Sequence, residues 1–290
     1  MSGILHNVFL GPHTVDSVLA HKSALVKVLR YARPNVTAGK STNYAQGMKQ
    51  NLQRTDERGN SVINVLLSTI PVKEFQVLKP HLSHVRFLAG QNLEEPGNEI
   101  EAACFINSGL LSLVVSTKSG RTVEVGVAGY EGMTGVSLMA GIKRTTHWGV
   151  AEVAGDGFKI SANNLERALK SAPQLQKMAN RFSAVQAMQL AQTAACNRLH
   201  DVGQRLARWL LMTDDRVRQQ TLSVTHDFLS MMLGTDRTSV TAAAGLLQER
   251  EVIKYSRGKL QILDRQNLEN VVCECYPAIA QFNGELGLSS

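Results

Sequence analysis

Cysteine is scarce. The 290 residues hold four, Cys104, Cys196, Cys273 and Cys275. So few, unevenly spread, do not make the disulfide framework of a small secreted domain. Only Cys273 and Cys275 are close in sequence, and no second Cys-x-x-Cys or His pair accompanies them, so no metal site is expected. The thiols read instead as buried or surface groups. Aromatic residues are few, at 5%. No apolar run approaches the roughly 18 residues of a membrane span. The N-terminus lacks a basic stretch leading into a long apolar one, so a cytoplasmic protein is expected, with no membrane partner. Common enzyme motifs are missing: there is no His-Glu-x-x-His, no Gly-x-Ser-x-Gly and no phosphate-binding lysine loop. His200-Asp201 and His226-Asp227 pair a base with an acid, but both stand where helices start, so capping is their expected role. No enzymatic activity is expected.

The hydrophobic content of 43% and charged content of 19% are ordinary for a globular chain. The net charge is +7. Residues 1–60 hold eight Lys/Arg and three Asp/Glu, a net of +5, which leaves +2 (7 − 5) for the rest. Overall basicity therefore says little about a polyanionic partner, and local pattern must decide.

Residues 1–60 read as a basic, disordered extension, with a short amphipathic helix over 15–31. The stretch before Met48 also fits sequence upstream of an internal start. Residues 61–172 follow, with a helical entry at 62–82 and then short strands at 85–88, 104–106, 110–117, 122–127, 149–153 and 158–160. Gly-rich turns at 107–109 and 118–121 separate some of them. This texture predicts a β barrel, roll or sandwich. Ser161 starts a short helix over 162–169, and Pro173 suits the first turn of a long one. Its apolar residues Leu175, Met178, Phe182, Val185 and Met188 recur every three or four positions, with Leu190 beside them. At about 1.5 Å per residue this helix exceeds thirty ångströms. Its stripe must pack on its own barrel or on a twin. Asp201 caps the next helix, over 202–212.

The sharpest pattern lies near the C-terminus. Thr225 is placed to cap a helix whose apolar face is Phe228, Leu229, Met232 and Leu233. Gly234 ends it and Asp236 caps the next. That second helix turns Val240, Ala244, Leu246 and Leu247 inward and Arg237, Thr238, Ser239 and Thr241 outward. A helix, a Gly-containing turn and a second helix can lay the second helix in the major groove. An Arg can read guanine, and Thr or Ser can reach phosphates or a thymine methyl. Residues 251–264 then alternate about Ser256-Arg257-Gly258-Lys259. This predicts a hairpin whose Arg257 and Lys259 face the phosphate backbone: a winged helix-turn-helix over 201–276, followed by a tail at 277–290.

In this order, the elements from Val62 to Tyr276 resemble the Crp/Fnr family of bacterial regulators. The resemblance is carried by Ala195-Cys196-Asn197-Arg198-Leu199-His200, by 205–212, by Gly234 through Thr241, and by Cys273-Glu274-Cys275-Tyr276. It implies an α+β fold with a cyclic-nucleotide-binding-like β-roll, a dimerisation helix at 173–200 and the winged helix-turn-helix. It further implies a homodimer on double-stranded DNA, with an inverted-repeat operator and RNA polymerase as a further candidate partner. The family's recognition arginine falls on Arg237, while Thr238 and Ala242 depart from its usual Glu and second Arg. The family's effector cassette maps onto Glu131 and Gly132, with Arg144 and Thr145 as its second part. Tyr130 replaces a cassette glycine, and Leu190 and Ala191 stand where a base-reading Thr-Ser pair belongs. A cyclic nucleotide is thus the implied effector, with a degraded site, and no cofactor is expected with certainty. The alternative reading is a small-ligand sensor that acts through protein contacts.

Overall fold

The computed structural model describes residues 54–217, 219 and 221–286. The helix expected over 15–31 lies outside them. The first described residues are not an extension. Arg54 donates to the carbonyls of Leu67 and Ile70 and lies 5.2 Å over the Phe75 ring. Thr55 bridges Ser61, and Asp56 ties the loop between them by accepting from Arg58 N and Asn60 N. The expected extension over 1–60 therefore does not hold for 54–60, because a guanidinium able to satisfy two helix-end carbonyls is worth ordering.

Two short helices, α1 (Val65–Thr69) and α2 (Val72–Leu78), lead into a five-stranded antiparallel sheet. Its strands are β1 (Ser83–Phe87), β2 (Asn92–Glu94), β3 (Ala102–Ser116), β4 (Thr122–Ala128) and β5 (Trp148–Ser161). The order is β1-β5-β3-β4, and β2 pairs with β5. The turn expected at 107–109 is instead a kink inside one long strand. The β3–β5 register shifts between Ile106 and Ser108 and again before Leu110. Gly109 has φ +87°, and a Cβ there would sit 2.6 Å from the Val153 carbonyl oxygen. A Cβ on Gly155, across the kink, would lie 2.1 Å from the Ser108 oxygen. Glycine here marks a bulge where two backbones touch, so strands read as separate from sequence are continuous.

Helix α3 (Ala162–Leu169) starts where Ser161 accepts from Asn164 N. The long helix α4 (Pro173–Leu199) has no side-chain cap of its own. Buried Glu74 of α2 supplies one, accepting from Gln174 N and Leu175 N, a carboxylate at the positive end of the helix. One face of α4, Leu175, Ala179, Phe182 and Val185, enters the core formed with the sheet and α1–α3. Helix α5 (Val202–Asp214) follows, capped by Asp201 as expected. A small sheet, β6 (Leu222–Ser223), β8 (Lys259–Ile262) and β7 (Ile253–Ser256) in that order, frames α6 (His226–Leu233) and α7 (Arg237–Glu249). Of the expected tail at 277–290, the described residues 277–286 are folded. After α8 (Arg265–Val271), α9 (Cys275–Asn283) buries Ile279, and Leu286 is buried in the core of the sheet domain. Among the described residues no helix is long and apolar enough to cross a membrane.

Candidate DNA-binding surface

Local chemistry sets each end of the helix pair. The Thr225 hydroxyl accepts from Phe228 N and starts α6. Gly234, at φ +58°, ends it in the left-handed region that favours glycine. Asp236 accepts from both the backbone N and the hydroxyl of Ser239 and starts α7. Val240, Ala243, Ala244 and Leu247 face the core. Leu246, expected inside, is 56% exposed, because Ala243 takes the inward position one turn earlier. Arg237, Thr238, Thr241 and Ala242 stand exposed in the first turns. Ser239 is half-buried and engaged with the cap, so it serves the helix start more than a ligand. Arg237 rests on Asp227, 3.4 Å away, and both are well exposed, so this pair holds the guanidinium only loosely.

The hairpin of β7 and β8 turns at Arg257 and Gly258, with φ +50° and +75°. Two successive left-handed residues make the tight turn that matches strand twist. Arg257 and Lys259 are exposed at its tip. The wing is tied to the helix pair. The Tyr255 hydroxyl donates to the Val224 carbonyl, and Tyr255 N donates to the Gln248 side chain. The His226 ring stacks on Tyr255 with centroids 4.4 Å apart. His226 Nδ1 lies 2.9 Å from the Thr241 hydroxyl, which gives its own proton to the Arg237 carbonyl. Burial, then the nearby Arg237 charge, lowers the His226 pKa and keeps the ring neutral. The stacking of His226 on Tyr255 has no local mark in the sequence, where His226 reads only as part of a helix start, since the contact spans α6 and the wing.

The candidate effector residues are each engaged with the chain itself. Glu131 is buried and paired with buried Arg216 at 2.7 Å, and its other oxygen accepts from Gly129 N. Its carboxylate is engaged by the strap after α5 and by the Gly129 backbone. A Cβ on Gly132 would lie 2.6 Å from the Phe182 ring of α4, so its backbone faces packed side chain rather than a phosphate. Arg144 bridges Glu99 at another edge, and Thr145 bonds His147. Along β4, a Cβ on Gly126 would meet Gln189 at 2.9 Å and Leu190 at 3.0 Å. The long helix thus lies directly on the strand. Of the expected effector cassette at Glu131, Gly132, Arg144 and Thr145, Glu131 is thus paired with Arg216 and Gly132 is packed against Phe182.

The expectation that Cys273 and Cys275 lack further ligands also fails. Cys196 and His200, at the end of α4, meet them, and all four ligand atoms lie within 4.8 Å of one another. The available signal was Cys196-x3-His200, one turn apart on a helix, which matters only once the chain returns 73 residues later (273 − 200).

Residues 204–271 match the model of the Crp-like helix-turn-helix domain. The fold is similar to that of a Crp/Fnr-family transcriptional regulator from Eubacterium rectale, at 20% identity and TM-score 0.57, covering 71% of this chain and 96% of that one. FixK2 from Bradyrhizobium japonicum has 13% identity and TM-score 0.58, over 66% and 98%. The regulator CLP of Xanthomonas campestris, described as responsive to c-di-GMP, has 15% identity and TM-score 0.56, over 66% and 99%. The chain carries a Crp-like helix-turn-helix domain on a Crp/Fnr-type fold. No curated protein matches it. The Crp/Fnr matches are transcription regulators rather than enzymes, in keeping with His200-Asp201 and His226-Asp227. In the first pair Asp201 is a helix cap. In the second, Thr225 does the capping and Asp227 sits in the first turn.

Proposed function

We propose that this Crp/Fnr-type chain is a sequence-specific transcription regulator acting as a homodimer on an inverted-repeat operator. The observation that carries the reading is the exposed first turn of α7. Arg237, Thr238 and Thr241 are exposed there beside a wing whose tip carries Arg257 and Lys259. Arg237 would read a base edge, Thr238 and Thr225 would meet phosphate or methyl groups, and the wing cations would follow the backbone.

The dimer reading rests on α4. Its inner face fills the chain's own core, yet its outer face is not polar. Ala184, Ala187, Ala191 and Ala194 are exposed at alternating steps of three and four, with exposed Met188 beside them. Met188 is 47% and Leu199 74% exposed. Small residues at this spacing let a second α4 approach closely along a left-handed seam. Two recognition helices related by that axis would meet half-sites one turn of DNA, about 34 Å, apart.

The test is selection of genomic fragments by the purified chain, followed by binding of Arg237→Ala to the enriched site. A two-fold motif, and a loss of about 1–3 kcal/mol for Arg237→Ala with the dimer intact, is expected. Normal binding by that variant would overturn the recognition-helix assignment, and a monomer in sedimentation would overturn the dimer.

A further inference from the structure

Three cysteines and a histidine from distant segments converge where the long helix ends. Cys196 lies on the last turn of α4, and His200 is the residue that closes it. Cys273 follows α8, and Cys275 opens α9. All three cysteines are buried, and none is in a disulfide. Cys196 Sγ is 3.6 Å from Cys273 Sγ, and Cys275 Sγ is 3.5 Å from His200 Nδ1. A tetrahedral ion with bonds of about 2.3 Å to sulfur and about 2.0 Å to nitrogen separates its ligands by roughly 3.5–3.8 Å.

We propose that Cys196, His200, Cys273 and Cys275 form a binding site for one tetrahedral zinc-class ion, pinning the end of α4 to the α8–α9 junction.

The surroundings fit that use. His200 turns Nδ1 to the sulfur and Nε2 to the Glu274 carboxylate, 3.3 Å away, so one ring nitrogen is oriented by an acid while the other faces the site. The Gln192 amide donates to Cys275 Sγ at 3.2 Å, an outer hydrogen bond of the kind that holds a thiolate ligand. The donor set, three sulfurs and one imidazole, selects a borderline-soft divalent ion over magnesium or calcium. With no fifth donor among the described residues and little exposure, the site is of the closed, structural sort. Each thiol would release its proton to solvent as its sulfur–metal bond forms, and no electron moves. A disulfide between Cys196 and Cys273 would leave His200, Glu274 and Gln192 without a purpose in the cluster.

The full chain, purified reduced and without chelator, should hold about one zinc per chain by elemental mass spectrometry. Exchange with cobalt should give the charge-transfer absorption of tetrahedral cobalt thiolate. Cys196→Ser with Cys273→Ser, and His200→Ala separately, should each retain less than a tenth of the metal, while Cys104→Ser keeps it all. The cobalt spectrum of the unmodified chain stands even where a variant fails to fold. The proposal is overturned by an unmodified chain that takes up neither zinc nor cobalt, by equal metal loss in Cys104→Ser, by acid-labile sulfide in the isolated protein, or by a Cys196–Cys273 disulfide in thiol-blocked cell extract.

Discussion

At the residue scale, Arg257 shows a position where folding and function ask for different side chains. Its φ of +50° lies where a β-carbon is strained, and the neighbouring Gly258 relieves only its own share. Asparagine tolerates this region better. Arg257→Asn should therefore stabilise the chain by roughly 0.5 kcal/mol, seen as a higher urea midpoint. The same change removes a cation from the wing tip, so affinity should fall for all DNA sequences and the dependence on salt should flatten. A selective loss for one sequence would mean that the wing reads bases. Gly132 is the opposite case. There, the absence of a side chain serves packing against Phe182, and the resemblance to a ligand loop misleads because a glycine can make room for a ring as well as for a phosphate.

At the scale of elements, three strands and one helix enclose a cluster of acids. Ser112 of β3 donates to Glu124 of β4 at 2.6 Å and is also bonded to Glu152 of β5. The buried guanidinium of Arg208, on α5, attracts Glu124. Burial raises both carboxyl pKa values, and the charge of Glu124 raises that of Glu152 further, well above the ordinary range. The folded chain thus keeps a proton that the unfolded chain has released above about pH 4.3. Stability from this proton is complete below that pH and is lost as pH rises through the folded value of Glu152. Glu152→Gln, with a permanently neutral amide, should remove the loss. Its urea midpoint should exceed that of the parent at pH 8, and the difference should shrink at pH 4. A constant difference would mean that Glu152 is ionised in the fold.

How much of this was legible follows from distance along the chain. The helix pair and wing were readable because Thr225, Gly234, Asp236 and the Arg257-Gly258 turn act on residues within a few positions of themselves. The long helix was readable from its period, although its apolar stripe alone did not say which residues meet the chain's own core. Leu175, Phe182 and Val185 do, and Met188 does not. The kink at Gly109 reads locally as a turn because the demand comes from Gly155, 46 residues away (155 − 109). The Cys/His cluster, the Glu131–Arg216 pair and the Glu74 cap join segments at least 70 residues apart, and no local rule reports such meetings.

At the scale of the whole molecule, the helix-turn-helix does not hang from a free hinge. Its turn glycine, Gly234, lies against Val123 of β4, where an added Cβ would come within 2.9 Å. Leu110 and Val127 of the large sheet belong to the same apolar cluster as Trp209, Leu229 and Leu268. Leu286 matters differently. The chain leaves the sheet domain once, at Asp201, and through Leu286 it comes back, so its path closes on itself like a belt passed through its own buckle. A belt cannot be loosened on one side alone. Heat should open both halves in one step, with a calorimetric enthalpy equal to the van't Hoff enthalpy. Ending the chain at Asn283 removes only the return through Leu286, so the transition should stay single, held by Leu110, Val127 and Gly234, and move to lower temperature; two separate transitions would mean that Leu286 alone couples the halves.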